Sequence, residues 1–271
     1  MIDIGVVMPV YNQVPAYLRI ALNSMLKQTY RQFKLVIVLD GANLPTQQIA
    51  RRFAARDHRV TILHKPRNQG LASALNDGFA RLYKIPSIRY LTWVSSDNDY
   101  FPPFLATLRR RMIMSPPKIG LVYSAFRYID AQGKPMYTRA FYQQLRQRQR
   151  LPKRHLLHHC FIGASFLYRK SVAQKVGNYR LEPVEDYDYW LRMSEICDIR
   201  FIPPILMAYR HRSPNSVSTE LETPEGKDRF RQSLQQALRE ARQRRGMISQ
   251  DINDEMIQTF IQENHLTIFR P

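Results

Sequence analysis

The sequence predicts an α/β fold: a mostly parallel sheet flanked by helices, with a C-terminal helical annex. Two patterns carry this. Short apolar runs alternate with helical periodicity through the first hundred residues, and the run Phe33 to Leu39 is apolar on both faces. Continuous apolar strands joined by helices belong to a parallel sheet covered on both sides. Hydrophobic residues make up 44% of the 271 and aromatics 11%, enough for a packed core.

The elements read in order. Ile2 to Met8 is a strand, and Pro15 opens a helix whose apolar face is Leu18, Ala21, Leu22, Met25 and Leu26. Phe33 to Leu39 is the second strand. Pro45 starts a helix to about Ala55, followed by a strand near Val60 to Leu63. Leu71, Ala74, Leu75, Phe79 and Leu82 line a third helix, and Arg89 to Val94 is the fourth strand. Beyond Phe101 the pattern predicts a strand at Ile119 to Ser124, a hairpin turn at Asp130 to Gly133 and a basic helix with a loop at Phe141 to Arg154. It then predicts a strand at Phe161 to Tyr168 and a helix at Asp186 to Glu195. Two short strands near Arg200 to Ile202 and Leu206 to Arg210 follow, then helices at Pro224 to Arg245 and Asp251 to Glu263.

Charge and cysteines bound the function. Lys and Arg number 41 against 22 acids, a net charge of +19. Residues 131–181 contain eleven Lys or Arg and no acid. Such a surface attracts phosphates of a nucleotide, an anionic lipid or a nucleic acid. No apolar stretch is long enough to span a membrane. The first residues lack a secretory pattern, and two cysteines, Cys160 and Cys197, make no disulfide framework. A cytoplasmic protein, with peripheral contact at the inner face of the membrane, is the expectation.

Ligands of open parallel sheets sit beyond the carboxyl ends of the strands. Those ends are Pro9-Val10-Tyr11-Asn12, Asp40-Gly41-Ala42-Asn43 and Ser95-Ser96-Asp97-Asn98-Asp99. Neither G-x-G-x-x-G nor the P-loop pattern follows the first strand, which argues against dinucleotide and P-loop enzymes. His158-His159-Cys160 lacks zinc spacing. Acids at strand ends suit a divalent cation shared with a diphosphate, or serve as turn formers and helix caps; for Asp99, capping weighs at least as much as metal binding. Glu185, Asp186 and Asp188 cluster at the start of an apolar helix after the acid-free run, more acids than the helix dipole alone calls for.

The sequence resembles inverting glycosyltransferases of the GT-A fold, of the bacterial family-2 type. The residues that carry the resemblance are Met8 to Gln13 (MPVYNQ), Leu39 to Ala42 (LDGA), Asn68 to Gly78 (NQGLASALNDG), Ser95 to Asn98 (SSDN), Glu185 to Arg192 (EDYDYWLR) and Tyr209 to Arg212 (YRHR). Six short motifs in the family's order extend to about Ser218. The resemblance implies a GT-A (Rossmann-like) catalytic domain at 1–218, with a nucleotide-binding half at 1–100 and an acceptor half at 101–218. Residues 219–271 form a basic helical extension.

It also implies roles. Pro9, Tyr11, Asn12, Asp40, Asn68 and Ser96 would line the nucleotide, and Asp97 with His211 would hold Mg²⁺ or Mn²⁺. Asn98, Gly163, Ala164 and Glu185 would border the donor sugar and acceptor, with Ser165 in the same segment, and Asp186 would be the catalytic base. The donor is a nucleoside-diphosphate sugar, UDP first, and the acceptor a saccharide or lipid-linked hydroxyl of cell-envelope or polysaccharide biosynthesis. Leu39 and Ser95 replace acids common in the family, so a weakened relative acting as a scaffold is the alternative; the processive Q-x-x-R-W signature is absent. A basic nucleic-acid-binding protein is a further alternative, against which the Gln-rich basic segments and the acids at strand ends both argue. The helix after Pro224 has Phe230, Leu234, Ala237, Leu238 and Ala241 on one face, which either packs on the domain or rests on an anionic membrane.

Overall fold

The computed structural model describes residues 1–211, 213–214, 223–247 and 256–261. Its first half runs β1 (Ile4–Val10), α1 (Pro15–Leu26), β2 (Phe33–Asp40), α2 (Leu44–Arg56), β3 (Val60–Lys65), α3 (Leu71–Tyr83), β4 (Tyr90–Trp93), β5 (Asp99–Tyr100) and α4 (Phe104–Ile113). The second half runs β6 (Ile119–Ile129), α5 (Arg139–Gln149), a 3-10 turn (Lys153–Leu157), β7 (Phe166–Arg169), α6 (Lys170–Val176), α7 (Glu185–Ile196), β8 (Asp198–Arg210) and α8 (Pro224–Arg244).

The strands form one eight-stranded sheet ordered β3-β2-β1-β4-β7-β6-β8-β5. Four of the seven pairings are parallel: β2 with β3, β1 with β2, β1 with β4, and β6 with β8. β7 runs against both its neighbours. Alternate residues of β1 and β2 enter different cores, because successive side chains of a strand point to opposite faces. Val7, Val36 and Val38 join α3, α7 and α8 in one core. Val6, Met8, Leu35 and Ile37 join α1, α2, α4 and α5 in the other. At Gly78 an added Cβ would lie 2.5 Å from Val7, so a glycine lets α3 rest directly on the sheet.

β5, α4 and α6 fall where the sequence predicted no element, and three predicted elements differ from expectation, each for a local reason. β1 continues to Val10 and so includes Pro9, paired with Val38. A proline is tolerated there because the β4 register ends at Val7, leaving that side of Pro9 without a ladder partner. Residues 161–165 are not strand. Gly163 turns the chain at φ +72°, and the extended run begins only at Phe166. The two short strands after Arg200 are one, β8. Its register against β6 jumps from Ile202 to Ile205, so Pro203 and Pro204, which have no N–H to donate, bulge out of the ladder.

The amphipathic stripe of α8 packs inward. Phe230, Leu234, Ala237, Leu238 and Ala241 are all buried in the core that contains Tyr187, Trp190 and Leu191 of α7. Arg244 and Arg245 bind Glu195 at 2.8 Å each, and Arg242 is buried. Of the helix expected at Asp251 to Glu263, residues 256–261 are helical, with Phe260 5.3 Å from the Tyr187 ring; the remainder lies outside the described residues. Because Leu234 is wholly buried, Leu234→Ala is expected to cost about 2–5 kcal/mol in urea denaturation. A change under about 0.5 kcal/mol, as at an exposed site, would contradict this packing.

Candidate active site

From β1 the chain moves outward through β2 to β3, then crosses back to place β4 on the other side of β1. The crevice beyond the carboxyl ends of β1 and β4 is therefore the switch point where such sheets bind ligands. Side chains tie its loops together. Gln13 Nε2 donates to Ser96 Oγ at 3.0 Å, joining the loop after β1 to the loop after β4. Asn12 Oδ1 accepts from Asn43 N at 2.8 Å, and Asn43 caps α2. Tyr11 is left 43% exposed at the mouth.

At the end of β2, Asp40 is buried and organises a loop. Its carboxylate accepts from Gln69 N and Gly70 N, each at 3.1 Å, with Lys65 Nζ 3.4 Å away. Asn68 Oδ1 accepts from the same Gly70 N at 2.9 Å. The structure thus brings Asp40 and Asn68 into one constellation. Lys65, at the end of β3, completes it and also binds Asp77 at 2.8 Å. Lys65 was not singled out from sequence, although the strand-end rule that selected Asp40 applies equally to it.

The loop after β4 is anchored by Arg210, the last residue of β8. Arg210 Nε donates to Asp97 O at 3.0 Å and Arg210 N to Asn98 Oδ1 at 2.9 Å. Its guanidinium also binds the carbonyls of Asp130 and Ala131 and lies 4.1 Å over the Tyr17 ring. The Asp97 side chain is buried, which pushes its carboxyl above the ordinary range, while Ser213 and Arg210 pull the other way. Asp99 is in β5, paired with Ala208, and is not a helix cap; α4 begins after Pro103. His211 follows β8, its N–H on Ile129 O at 2.9 Å and its ring edge-on to Tyr128.

The acidic motif splits into two environments within one turn of α7. Asp188 has no exposure and is clasped by Arg180 at 3.0 Å and Arg192 at 2.8 Å. That neutralisation removes it as a reserve proton acceptor. Glu185 and Asp186 have no basic partner among the described residues, and Glu185 Oε2 is buried without a hydrogen bond. Burial pushes both carboxyls up, Glu185 well above the ordinary range with the Asp186 charge adding to it. Burial and then the Asp186 charge also raise the Cys160 thiol, which places the His158-His159-Cys160 segment beside this pair.

Gly163, at positive φ, sits under Phe126, where a Cβ would approach the ring to 2.5 Å. Ala164 beside it is partly buried, and Ser165 turns inward to the Ser124 hydroxyl. Glu182 was also missed. Its carboxylate accepts from Ala72 N at 2.5 Å, capping α3 and linking the Asn68–Gly70 loop to the approach to α7. It is the first acid after the acid-free run, which was the available signal.

Among the described residues no three His, Cys, Asp or Glu side chains converge on a point that could hold a metal. A lone buried Asp97 beside oxygen-bearing Ser96 and Asn98 instead suits a hard cation that takes its other ligands from a diphosphate and water.

The pattern of "Glycosyl transferase family 2" matches residues 5–177, which span β1 to α6 and include Asp40 and Asp97 but end before Glu185. An uncharacterized glycosyltransferase of Rickettsia prowazekii is 26% identical over 221 residues, 80% of this chain and 67% of the relative. One of Methanocaldococcus jannaschii is 24% identical, over 76% of this chain and 70% of the relative. Among solved structures, the mannosyltransferase PcManGT of Pyrobaculum calidifontis, in complex with GDP-Man and Mn²⁺, superposes with a TM-score of 0.67 at 17% identity, covering 97% of this chain and 69% of that one. S. aureus TarS 1–349 with UDP-GlcNAc gives 0.63 at 14% identity, covering 96% and 79%. The chain belongs to glycosyl transferase family 2 and is a glycosyltransferase with the GT-A fold.

Proposed function

We propose that the protein transfers a sugar from a nucleoside-diphosphate sugar to an acceptor hydroxyl with inversion, and that Asp186 is the base. One observation carries this reading: Glu185 is buried and Asp186 partly buried, neither with a basic partner among the described residues, while Asp188, in the next positions of the helix, is clasped by two arginines. A carboxylate held above its ordinary range in a site of low polarity is a better proton acceptor than one bound by arginine.

In this reading the nucleoside lies on the loops of Pro9 to Asn12 and Asn68 to Gly70, the second of which Asp40 holds in place. A carboxylate offers about four acceptor positions, so Asp40 can still meet a ribose hydroxyl or a base N–H. UDP is the first candidate nucleotide. Two structural neighbours are complexes with GDP-Man and UDP-GlcNAc, which supports a nucleotide-sugar donor without choosing the base. Asp97, with His211 on the facing strand end, would hold Mg²⁺ or Mn²⁺, which when bound neutralises charge building on the diphosphate. Asn98, Gly163, Ala164 and Glu185 border the sugar and the incoming acceptor. Asp186 takes the acceptor proton as the hydroxyl oxygen bonds to the anomeric carbon. The bond from that carbon to the diphosphate oxygen breaks, releasing the nucleoside diphosphate.

Thermal melting with UDP tests the donor site. Wild type is expected to gain stability from UDP, and more so with Mn²⁺; Asp97→Asn should lose the metal-dependent part and keep the rest. An unchanged metal increment would remove Asp97 as the ligand. Asp186→Asn is expected to lower transfer by about 10²–10⁴ with the UDP shift intact. Transfer within threefold or so of wild type would move the base elsewhere, to Glu185 first.

The acid pair also makes stability depend on pH. Because burial raises both carboxyls, the folded protein retains protons that the unfolded chain releases. Stability therefore falls as pH rises above the ordinary carboxylate range. Glu185→Gln should melt higher than wild type at about pH 8, with the gap closing toward about pH 4. A gap independent of pH would show that Glu185 holds its proton equally well in the folded and unfolded chain, and would overturn the raised carboxyl.

A further inference from the structure

The end of the sheet opposite the candidate active site has a surface chemistry of its own. α4 and α7 both finish there, and β6 and β8 begin there. Ile113 is 50% exposed and Met114 65% at the end of α4, and Ile196 is 48% exposed at the end of α7. Hydrogen bonds hold these segments side by side. Asp198 N donates to Lys118 O at 2.8 Å, and Arg200 Nη1 to Ser115 Oγ at 3.3 Å.

Cations surround the apolar residues. Arg110 and Arg111 are exposed in the last turn of α4, and the Lys118 side chain is 72% exposed. Lys153 lies beside them, 2.8 Å from Asp198, which Lys118 also approaches at 3.5 Å. Two lysines thus share the Asp198 carboxylate, and Arg110 and Arg111 have no acidic partner among the contacts of the described residues. Arg110, Ile113 and Met114 follow at three- and four-residue spacing, so they share one stripe of the helix. Exposed apolar residues scattered singly need no explanation, but Ile113 and Met114 side by side with Arg110 and Arg111, and Ile196 at the same end of the sheet, mark a contact surface.

We propose that this surface docks on an anionic lipid bilayer, with Arg110, Arg111 and Lys118 at the headgroup phosphates and Ile113, Met114 and Ile196 in the interfacial layer. Charge selects the partner: a net charge of +19 and an acid-poor patch match a negatively charged membrane face. The stripe of α8 is closed to lipid because α7 covers it. The patch lacks aromatic residues, so attachment is electrostatic in the first instance and reversible. In this orientation the crevice lies at the far end of the strands and stays open to water. Docking therefore leaves nucleotide binding unchanged and does not depend on the catalytic reading above.

Co-sedimentation of the full chain with phosphatidylcholine vesicles, with and without phosphatidylglycerol, tests the proposal. Binding is expected only with phosphatidylglycerol, and to be released by salt. R110Q/R111Q/K118Q should lower partitioning at least about tenfold, given roughly a factor of five per basic residue near such a surface. R51Q/R52Q/R56Q, exposed cations of α2 that remove the same charge, should lower it less than about threefold. I113S/M114S should lose about threefold or more while keeping its melting temperature and its UDP response. Equal loss in the α2 variant would assign binding to diffuse charge and overturn the patch. So would unchanged binding of I113S/M114S, absence of wild-type binding, or a solution dimer that I113S/M114S abolishes.

Discussion

Asp188 is a carboxylate with no access to water, and its neutralisation sets the geometry of the C-terminal half. A buried charge is tolerated only when paired, and removing one partner of such a pair typically costs about 3–5 kcal/mol. Arg180 and Arg192 approach it from different segments. Arg192 also binds the carbonyls of Val176 and Asn178, fixing the chain between α6 and α7. Arg180 extends to Glu240, which brings α8 into the same network. Glu185 and Asp186 precede this clasp on the same helix, so their position is set by charges that take no part in the chemistry proposed for them.

That arrangement also explains how one short acidic motif can hold carboxyls of opposite character. The guanidinium groups stop at Asp188, and Glu185 and Asp186 at the start of the same turn receive none. Trp190, Tyr189 and Tyr187 close around them, so desolvation of Glu185 and Asp186 is opposed only by backbone N–H groups. Water exclusion by an aromatic core and the placement of two arginines together produce the contrast.

The large positive charge divides by task. Arg169, Lys170 and Arg210 donate chiefly to backbone carbonyls and hold loop and strand ends together. Arg244 and Arg245 serve helix packing through Glu195. Only the remainder is available to an external anion, and it is this remainder, at the ends of α4 and β8, that stands beside exposed apolar side chains. Net charge described the protein's partners poorly until the internal contacts were subtracted.

The sequence by itself determined the alternating strands and helices up to β4, the strand ends as the place of the candidate site, and the family. All three depend on local periodicity or on short contiguous motifs, which neighbouring residues encode. It could not show that Pro9 lies within β1, because that turns on where β4 stops pairing. Nor could it show that Pro203 and Pro204 interrupt one strand and do not separate two. Asp40, Asp97, Glu185 and Asp186 were legible as acids at strand and helix ends. Which of the acids is free to act was not legible, because Lys65, Arg180 and Arg210 reach Asp40, Asp188 and the Asp97 loop from distant segments. The same holds for the helix after Pro224: its amphipathic stripe is written in the sequence, whereas α7 as the surface that covers it is a property of the tertiary fold. Residue type and spacing are local quantities, but desolvation and charge pairing depend on which distant segments the chain brings together.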